Sequence, residues 1–249
     1  MITVESVSIV ILVFLLAGMV KGVIGFGLPT VSVSLLAATV GLTEAMVLML
    51  LPSFATNVWQ AVVGGHLLRL LRRLWTMIFF GAAFVWVTSS VLTKEHLPLL
   101  TILLGIVICL YALSNLMRLK LPSPGRQQEQ WMSPSIGLLS GALTGVTGVF
   151  VVPAVAYLQA LRWSRDQLIQ AMGIWFTVAT VSLAGALSHH GLLTHSAGLL
   201  SGAAIVPALV GMAIGQRLRR RLSPGVFRTL FHIGLAVLGG YLIIVTQMG

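Results

Sequence analysis

The sequence predicts an all-α polytopic membrane protein built as two inverted repeats, each a broken, re-entrant helix hairpin followed by three transmembrane helices. Three observations predict it. The 249 residues are 57% hydrophobic and only 8% charged, whereas soluble domains carry about 25% charged residues. Charge-free apolar runs recur along the whole length, as at 97–117 and 226–248, each near the ~20 residues that cross the hydrocarbon core. A glycine-rich break followed by a proline occurs twice at one spacing, and loop charges make sense only if both breaks turn the chain back.

The first apolar segment, 6–40, is long for one span and short for two, and it contains "GMVKGVIGFGLP" at 18–29. It suits two half-helices meeting at a break. No basic region precedes it and no Ala-x-Ala site follows, so it reads as part of the mature chain rather than a cleaved signal. Segments 45–64, 74–92 and 97–117 follow as three spans. The polar connection 118–133, "RLKLPSPGRQQEQWMS", reads as a linker. Segment 134–160 then holds "SGALTGVTGVFVVP", and 167–188, 197–215 and 225–246 complete a second set. Gly18, Gly22 and Gly25 precede Gly141, Gly145 and Gly148 by 123 residues each, and Pro29 and Pro153 follow them. This is an internal duplication, dividing the chain into a repeat at 1–117, a cytoplasmic linker at 118–133 and a repeat at 134–249.

Topology follows from charge. If every segment crosses once, loop cations split six against seven, with no bias. If 6–40 and 134–160 each return to the side they entered, one side holds Arg69, Arg72, Arg73, Arg118, Lys120, Arg126, Arg162, Arg165, Arg217, Arg219, Arg220 and Arg221. The other holds Lys94 alone among loop cations. The positive-inside rule selects the second arrangement, with both termini outside. The net charge of +10 is then a topology signal, and no segment reads as a nucleic-acid arm.

The breaks carry the candidate chemistry. Glycine permits a sharp reversal, and Pro29 and Pro153 suit the first turn of the returning helix. That helix start presents N–H groups and partial positive charge, and Lys21 adds a full charge. An ionisable group inside a span is a functional hypothesis by default. The five carboxylates, Glu5, Glu44, Glu95, Glu129 and Asp166, all lie at segment ends or in loops. The polar groups expected inside are Lys21, Asn57, Gln60, Thr144, Thr147, Gln170 and Thr177, a set of hydrogen-bond donors suited to a small anion. Each has a plainer role open to it. The Gly-x-x-x-Gly pairs suit helix packing, Lys21 an interfacial anchor, Asn57 and Gln170 interhelical bonds, and the threonines bonds to their own helix. Trp86 and Trp175 fall deep, either packing or lining a pathway.

Other classes are disfavoured. There is no Gly-x-x-x-x-Gly-Lys-Ser/Thr loop for ATP. The six histidines lie at or near segment ends, away from any mid-membrane serine, against an intramembrane enzyme. His189, His190 and His195 cluster in a loop without acid or thiol, so the loop reads as solvated. Cys109 is the single cysteine, excluding an intrachain disulfide. A metal-ion carrier or an ion channel remains the alternative to an anion transporter. No cofactor is expected, and a homodimer is compatible with the sequence.

"GMVKGVIGFGLP", the Ala55-Thr56-Asn57 triplet of the next helix and "GALTGVTGVFVVP" together resemble the sulfite exporter TauE/SafE family, over nearly the whole chain. Members often carry three or four consecutive glycines at the first motif and an asparagine in the following helix. Here the run is Gly25-Phe26-Gly27, and the Thr56-Asn57 pair is present. The resemblance implies a secondary transporter of small sulfur-containing anions, sulfite or a sulfonate such as sulfoacetate, in the bacterial inner membrane and working in export. The substrate-binding candidates are Lys21, Gly22, Gly25, Gly27, Asn57, Thr144, Gly145, Thr147 and Gly148.

Overall fold

The computed structural model describes residues 4–119, 122–219 and 224–248. Among them every regular element is a helix: α1 (Val4–Ile24), α2 (Leu28–Val40), α3 (Leu42–Val62), α4 (Leu67–Ser89), α5 (Leu97–Leu116), α6 (Arg126–Thr147), α7 (Ala154–Ala160), α8 (Arg165–His189), α9 (His195–Ala203), α10 (Ile205–Leu218) and α11 (Pro224–Met248). Seven stretches are long and apolar enough to cross a membrane, with α9 and α10 counted as one. Backbone groups in hydrocarbon must be satisfied within the segment, which is why these runs are helical. Lys120, Arg220 and Arg221 of the topology count lie outside the described residues.

Three boundaries differ from the sequence reading. The first hairpin is unequal rather than two half-helices. Its leading arm α1 has 21 residues and is itself span-length. Its second arm α2 has 13, or about 20 Å against a core of about 30 Å. The polar connection 118–133 is helical from Arg126, because the Gln128 side chain accepts from the Gly125 N–H at 3.0 Å and caps the start of α6. The segment 197–215 is two helices, α9 and α10, meeting at Ala204.

The chain forms two compact units, and each draws on both sequence halves. The first comprises residues 1–52, 93–119 and 191–249, hence α1, α2, the first half of α3, α5, α9, α10 and α11. Its most extensive packing is α1 on α10 and α5 on α11. Both pairs rest on missing side chains. A Cβ on Gly18 would strike the carbonyl of Ala208, one on Gly22 that of Met212, and one on Gly215 that of Met19. In the other pair, a Cβ on Gly105 would lie 2.7 Å from Gly239 O. Close backbone approach of this kind replaces the hydrophobic drive that lipid removes.

The second unit comprises residues 53–92 and 120–190, hence the end of α3, α4, α6, α7 and α8. Its main contact is α4 on α6. The buried stripe of α4, Leu70, Leu74, Met77, Gly81, Val85 and Ser89, has helical spacing. Gly137, Gly141 and Gly145 of α6 sit against the Met77, Gly81 and Val85 carbonyls. The other face of α4 exposes Trp75, Phe79 and Phe80, as a lipid-facing surface does.

The two pairings repeat in detail. Gly22 meets Met212 O and Gln216 N, while Gly145 meets Val85 O and Ser89 N. The motif positions are 123 residues apart, and their partners differ by 127 in both cases. Gly215 abuts Met19 O. At the matching place the Thr88 hydroxyl donates to Ala142 O at 3.0 Å.

Candidate functional site

Each break is built the same way and then furnished differently. At the first, Gly25 N donates to Lys21 O at 2.7 Å, and Gly25 and Gly27 hold φ of +92° and +103°. No side chain is comfortable there. Gly27 is the N-cap of α2, and Pro29 lies in its first turn, as the sequence predicts. At the second, Gly148 N donates to Thr144 O at 2.9 Å, and Gly148 has φ of +70°. Six residues separate α6 from α7 rather than three, and Pro153 caps α7 instead of lying within its first turn.

Lys21 and Thr144 therefore occupy one register in the two copies. Lys21, in the last turn of α1, is 2% exposed and among the largest fully buried side chains. It is buried rather than reaching to a surface. Its neighbour Gly22 is a packing residue against α10, and Gly145 is one against α4. The Thr144 hydroxyl donates across the second break to Val149 O at 3.2 Å. The Thr147 hydroxyl donates to Leu143 O at 2.6 Å and accepts from Val149 N at 3.3 Å. Thr144 thus spans the break with its only proton, and Thr147 spans it as an acceptor, its own proton returning to a carbonyl of α6.

Asn57 is fully buried and donates to the Thr180 hydroxyl at 3.4 Å. That hydroxyl donates in turn to Phe176 O at 2.6 Å. Asn57 and Thr180 are also 123 residues apart, so equivalent positions of the two copies meet. Gln170 plays a different part. Its Oε1 accepts from His66 N at 3.0 Å, and its Nε2 donates to Ala61 O at 2.8 Å. It clamps the turn between α3 and α4. Gln60 and Thr177 are half-buried.

The nine candidates fall into two sets. Lys21, Gly22, Gly25 and Gly27 gather at the first break, in the first unit. Thr144, Gly145, Thr147 and Gly148 gather at the second break and, with Asn57, belong to the second unit. Sequence reasoning missed two neighbours, Thr30 and Ser140, and left the role of a third, Trp175, open. The Thr30 hydroxyl, in the first turn of α2, is buried without a hydrogen-bond partner, as is Ser140, one turn before Thr144. Trp175 is fully buried, and its indole N–H donates to Phe150 O at 2.8 Å, anchoring the second break's backbone. Trp175 therefore packs, while Trp86 is 44% exposed.

Of the described carboxylate side chains, Glu44, Glu95 and Asp166 are exposed, and Glu129 is 16% exposed and paired with Arg73. Among the described residues no three His, Cys, Asp or Glu side chains come together as a metal site. His189, His190 and His195 are exposed, as read from sequence. His232 departs from that reading. It lies two turns inside α11, 2% exposed, against Tyr111 with ring centroids 5.4 Å apart.

No curated protein and no solved structure is significantly similar to the chain. The family described as "Sulfite exporter TauE/SafE" matches residues 10–242, and this multi-pass membrane protein belongs to it, a family of transporters rather than enzymes.

Proposed function

We propose that the chain exports a small sulfur-containing anion, sulfite or an organosulfonate such as sulfoacetate, across the bacterial inner membrane, with both termini outside and its halves related as inverted repeats. Lys21 is the observation that carries the reading. A buried lysine at a glycine break, in a protein whose described carboxylates all lie near helix starts or in loops, favours negative charge. Placing an ionisable side chain in hydrocarbon costs a few kcal/mol on insertion scales. One that persists beside an irregular backbone serves the passage of an ion. The α2 start, capped by Gly27, and the buried Thr30 hydroxyl add hydrogen-bond donors. Export of an anion is favoured by an inside-negative potential, by about 2.3 kcal/mol per charge per 100 mV. The repeated glycine contacts and the meeting of Asn57 with Thr180 support the duplication, and the charge count supports its inversion.

The test is a thermal-shift screen of purified protein against sulfite, sulfoacetate, taurine, sulfate and neutral controls. A ligand of the native state raises the midpoint by mass action. Sulfite or a sulfonate should do so while neutral compounds do not, and a response confined to metal ions would sink the reading. The orientation has its own test. Cysteines at Gln128 and Arg219 should label from the cytoplasm and one at His190 from outside, and labelling of 128 and 190 from one side would remove the inversion.

A further inference from the structure

The duplicated packing produces one groove twice. In the first unit, Val7 and Val10 of α1 face Leu200 and Ala203 of α9 across a groove of about 410 Å³ lined wholly by apolar residues. In the second unit, the residues 123 and 127 positions away, Gln130 and Ser133 of α6 with Arg73 and Thr76 of α4, line a groove of about 530 Å³. The geometry is shared and the furniture is not. The second groove adds Arg126 and Glu129.

Arg73 and Glu129 form a two-pronged pair at 3.0 and 2.6 Å, and Arg73 also lies 5.2 Å over the ring of Trp163. That pair is a fixed wall, close to neutral. Arg126 then leaves the lining with a net positive charge. It is also the first residue of α6, where the helix dipole adds partial positive charge. Thr76 and Gln130 supply further donors, and Ser133, buried beside the Tyr157 phenol, completes the lining. The groove is flanked by Trp75, 62% exposed, on the lipid-facing side of α4 that also carries Phe79 and Phe80, and by Trp131, 77% exposed, on α6. Tryptophans of this kind sit at headgroup level.

A cationic, donor-lined cup next to an exposed aromatic and apolar face fits an amphiphile with an anionic head. We propose that the groove between α4 and α6 seats the phosphate headgroup of an anionic phospholipid, its acyl chains lying along Trp75, Phe79 and Phe80. The apolar twin in the first unit offers nothing to a phosphate and accommodates chains only. Loop arginines that serve orientation alone need no donor-lined cup and no aromatic flank.

The experiment uses the full chain purified in mild detergent. Phosphatidylglycerol, phosphatidylcholine with the same acyl chains, and inorganic phosphate are compared by thermal midpoint and by lipid retention in native mass spectrometry. Phosphatidylglycerol should be retained and raise the midpoint, and the other two should not. Arg126→Gln should weaken phosphatidylglycerol binding about fivefold, the worth of one cation near a charged lipid surface. Thr76→Val, which keeps the side-chain shape, should weaken it less, and it decides the matter if the arginine variant folds poorly. Leu200→Ala in the apolar groove should leave binding unchanged, as should Arg165→Gln, which removes an equal charge outside the cup. Equal losses in Arg126→Gln and Arg165→Gln would mean diffuse surface attraction and overturn the seat. An equal response to phosphatidylcholine, or to inorganic phosphate, would overturn it as well.

Discussion

The two breaks differ most at one residue, lysine in the first copy and threonine in the second, on an otherwise shared backbone. Gly25 N to Lys21 O and Gly148 N to Thr144 O are the same hydrogen bond 123 residues apart. The Thr144 proton goes to Val149 O, so the second break is closed by its own side chain. The first is tighter, with positive φ at both Gly25 and Gly27. The register position that Thr144 uses for closure holds a cation there instead. The same register position thus holds a threonine hydroxyl at one break and a buried lysine at the other.

The largest effects should fall equally on both copies. Gly18→Val and Gly141→Val place a branched side chain against the backbone of Ala208 and Gly81 respectively. Backbone has no rotamer to yield, so each should cost about 3 kcal/mol or more, the upper range for overpacking. The measurement is the thermal midpoint and the yield of folded protein in detergent. A tolerated valine at one position and not the other would break the equivalence of the α1–α10 and α4–α6 pairings.

The next effect should separate the copies. Lys21→Met keeps the apolar stem and removes the charge. It should lower affinity for the best screened anion tenfold or more, since ~1.4 kcal/mol is a factor of ten, and leave the fold intact. Lys21→Arg should keep part of the affinity, because charge survives while geometry changes. Thr144→Val should do the reverse of Lys21→Met. It should cost about 1 kcal/mol of stability through the lost hydrogen bond and change anion affinity less than threefold. Binding measured at equal ionic strength decides. Unchanged affinity in Lys21→Met would move the anion site away from the first break.

These contrasts also mark what is legible without coordinates. The breaks are legible because glycine, proline and a lone lysine are conspicuous in apolar sequence and because the spacing repeats. The helical character and the spans are legible because hydrocarbon leaves few alternatives. The compact units are not. Each joins α1 to α10 or α4 to α6 across the midpoint of the sequence, and glycine offers no signature of which distant carbonyl it will meet. Thr30 and Ser140 are hidden, and the choice between packing and pathway for Trp175 stays open, for a related reason, since these roles depend on orientation within runs that look uniform. His232 reads as a segment-end residue in sequence, because distance along the chain is a poor guide to depth.

A smaller effect tests the meeting of the copies. Asn57 reaches Thr180 at 3.4 Å, a long bond, worth about 0.5–1.5 kcal/mol. Asn57→Ala and Thr180→Val should each destabilise modestly. In a double-mutant cycle they should be less than additive, as contacting residues are. Full additivity would mean that the equivalent positions of α3 and α8 lie side by side without interacting.

The smallest effect belongs to the charged groove. Glu129 is 16% exposed and Arg73 43%, a pair open enough to water that its worth is about 0–1 kcal/mol. Glu129→Gln should therefore shift the midpoint by little. Transport should remain, because the described carboxylates all lie at the edges of the apolar helices or beyond them. Its effect on lipid should be opposite in sign to that of Arg126→Gln. Removing the acid frees the Arg73 guanidinium and raises the positive charge of the cup by one, so phosphatidylglycerol retention should rise. The apolar twin contains no residue whose change could do this, which makes the sign a property of the second groove alone. Loss of transport in folded Glu129→Gln protein would give that carboxylate a coupling role. A fall in lipid retention would mean that Arg73 serves the headgroup only while Glu129 holds it in place.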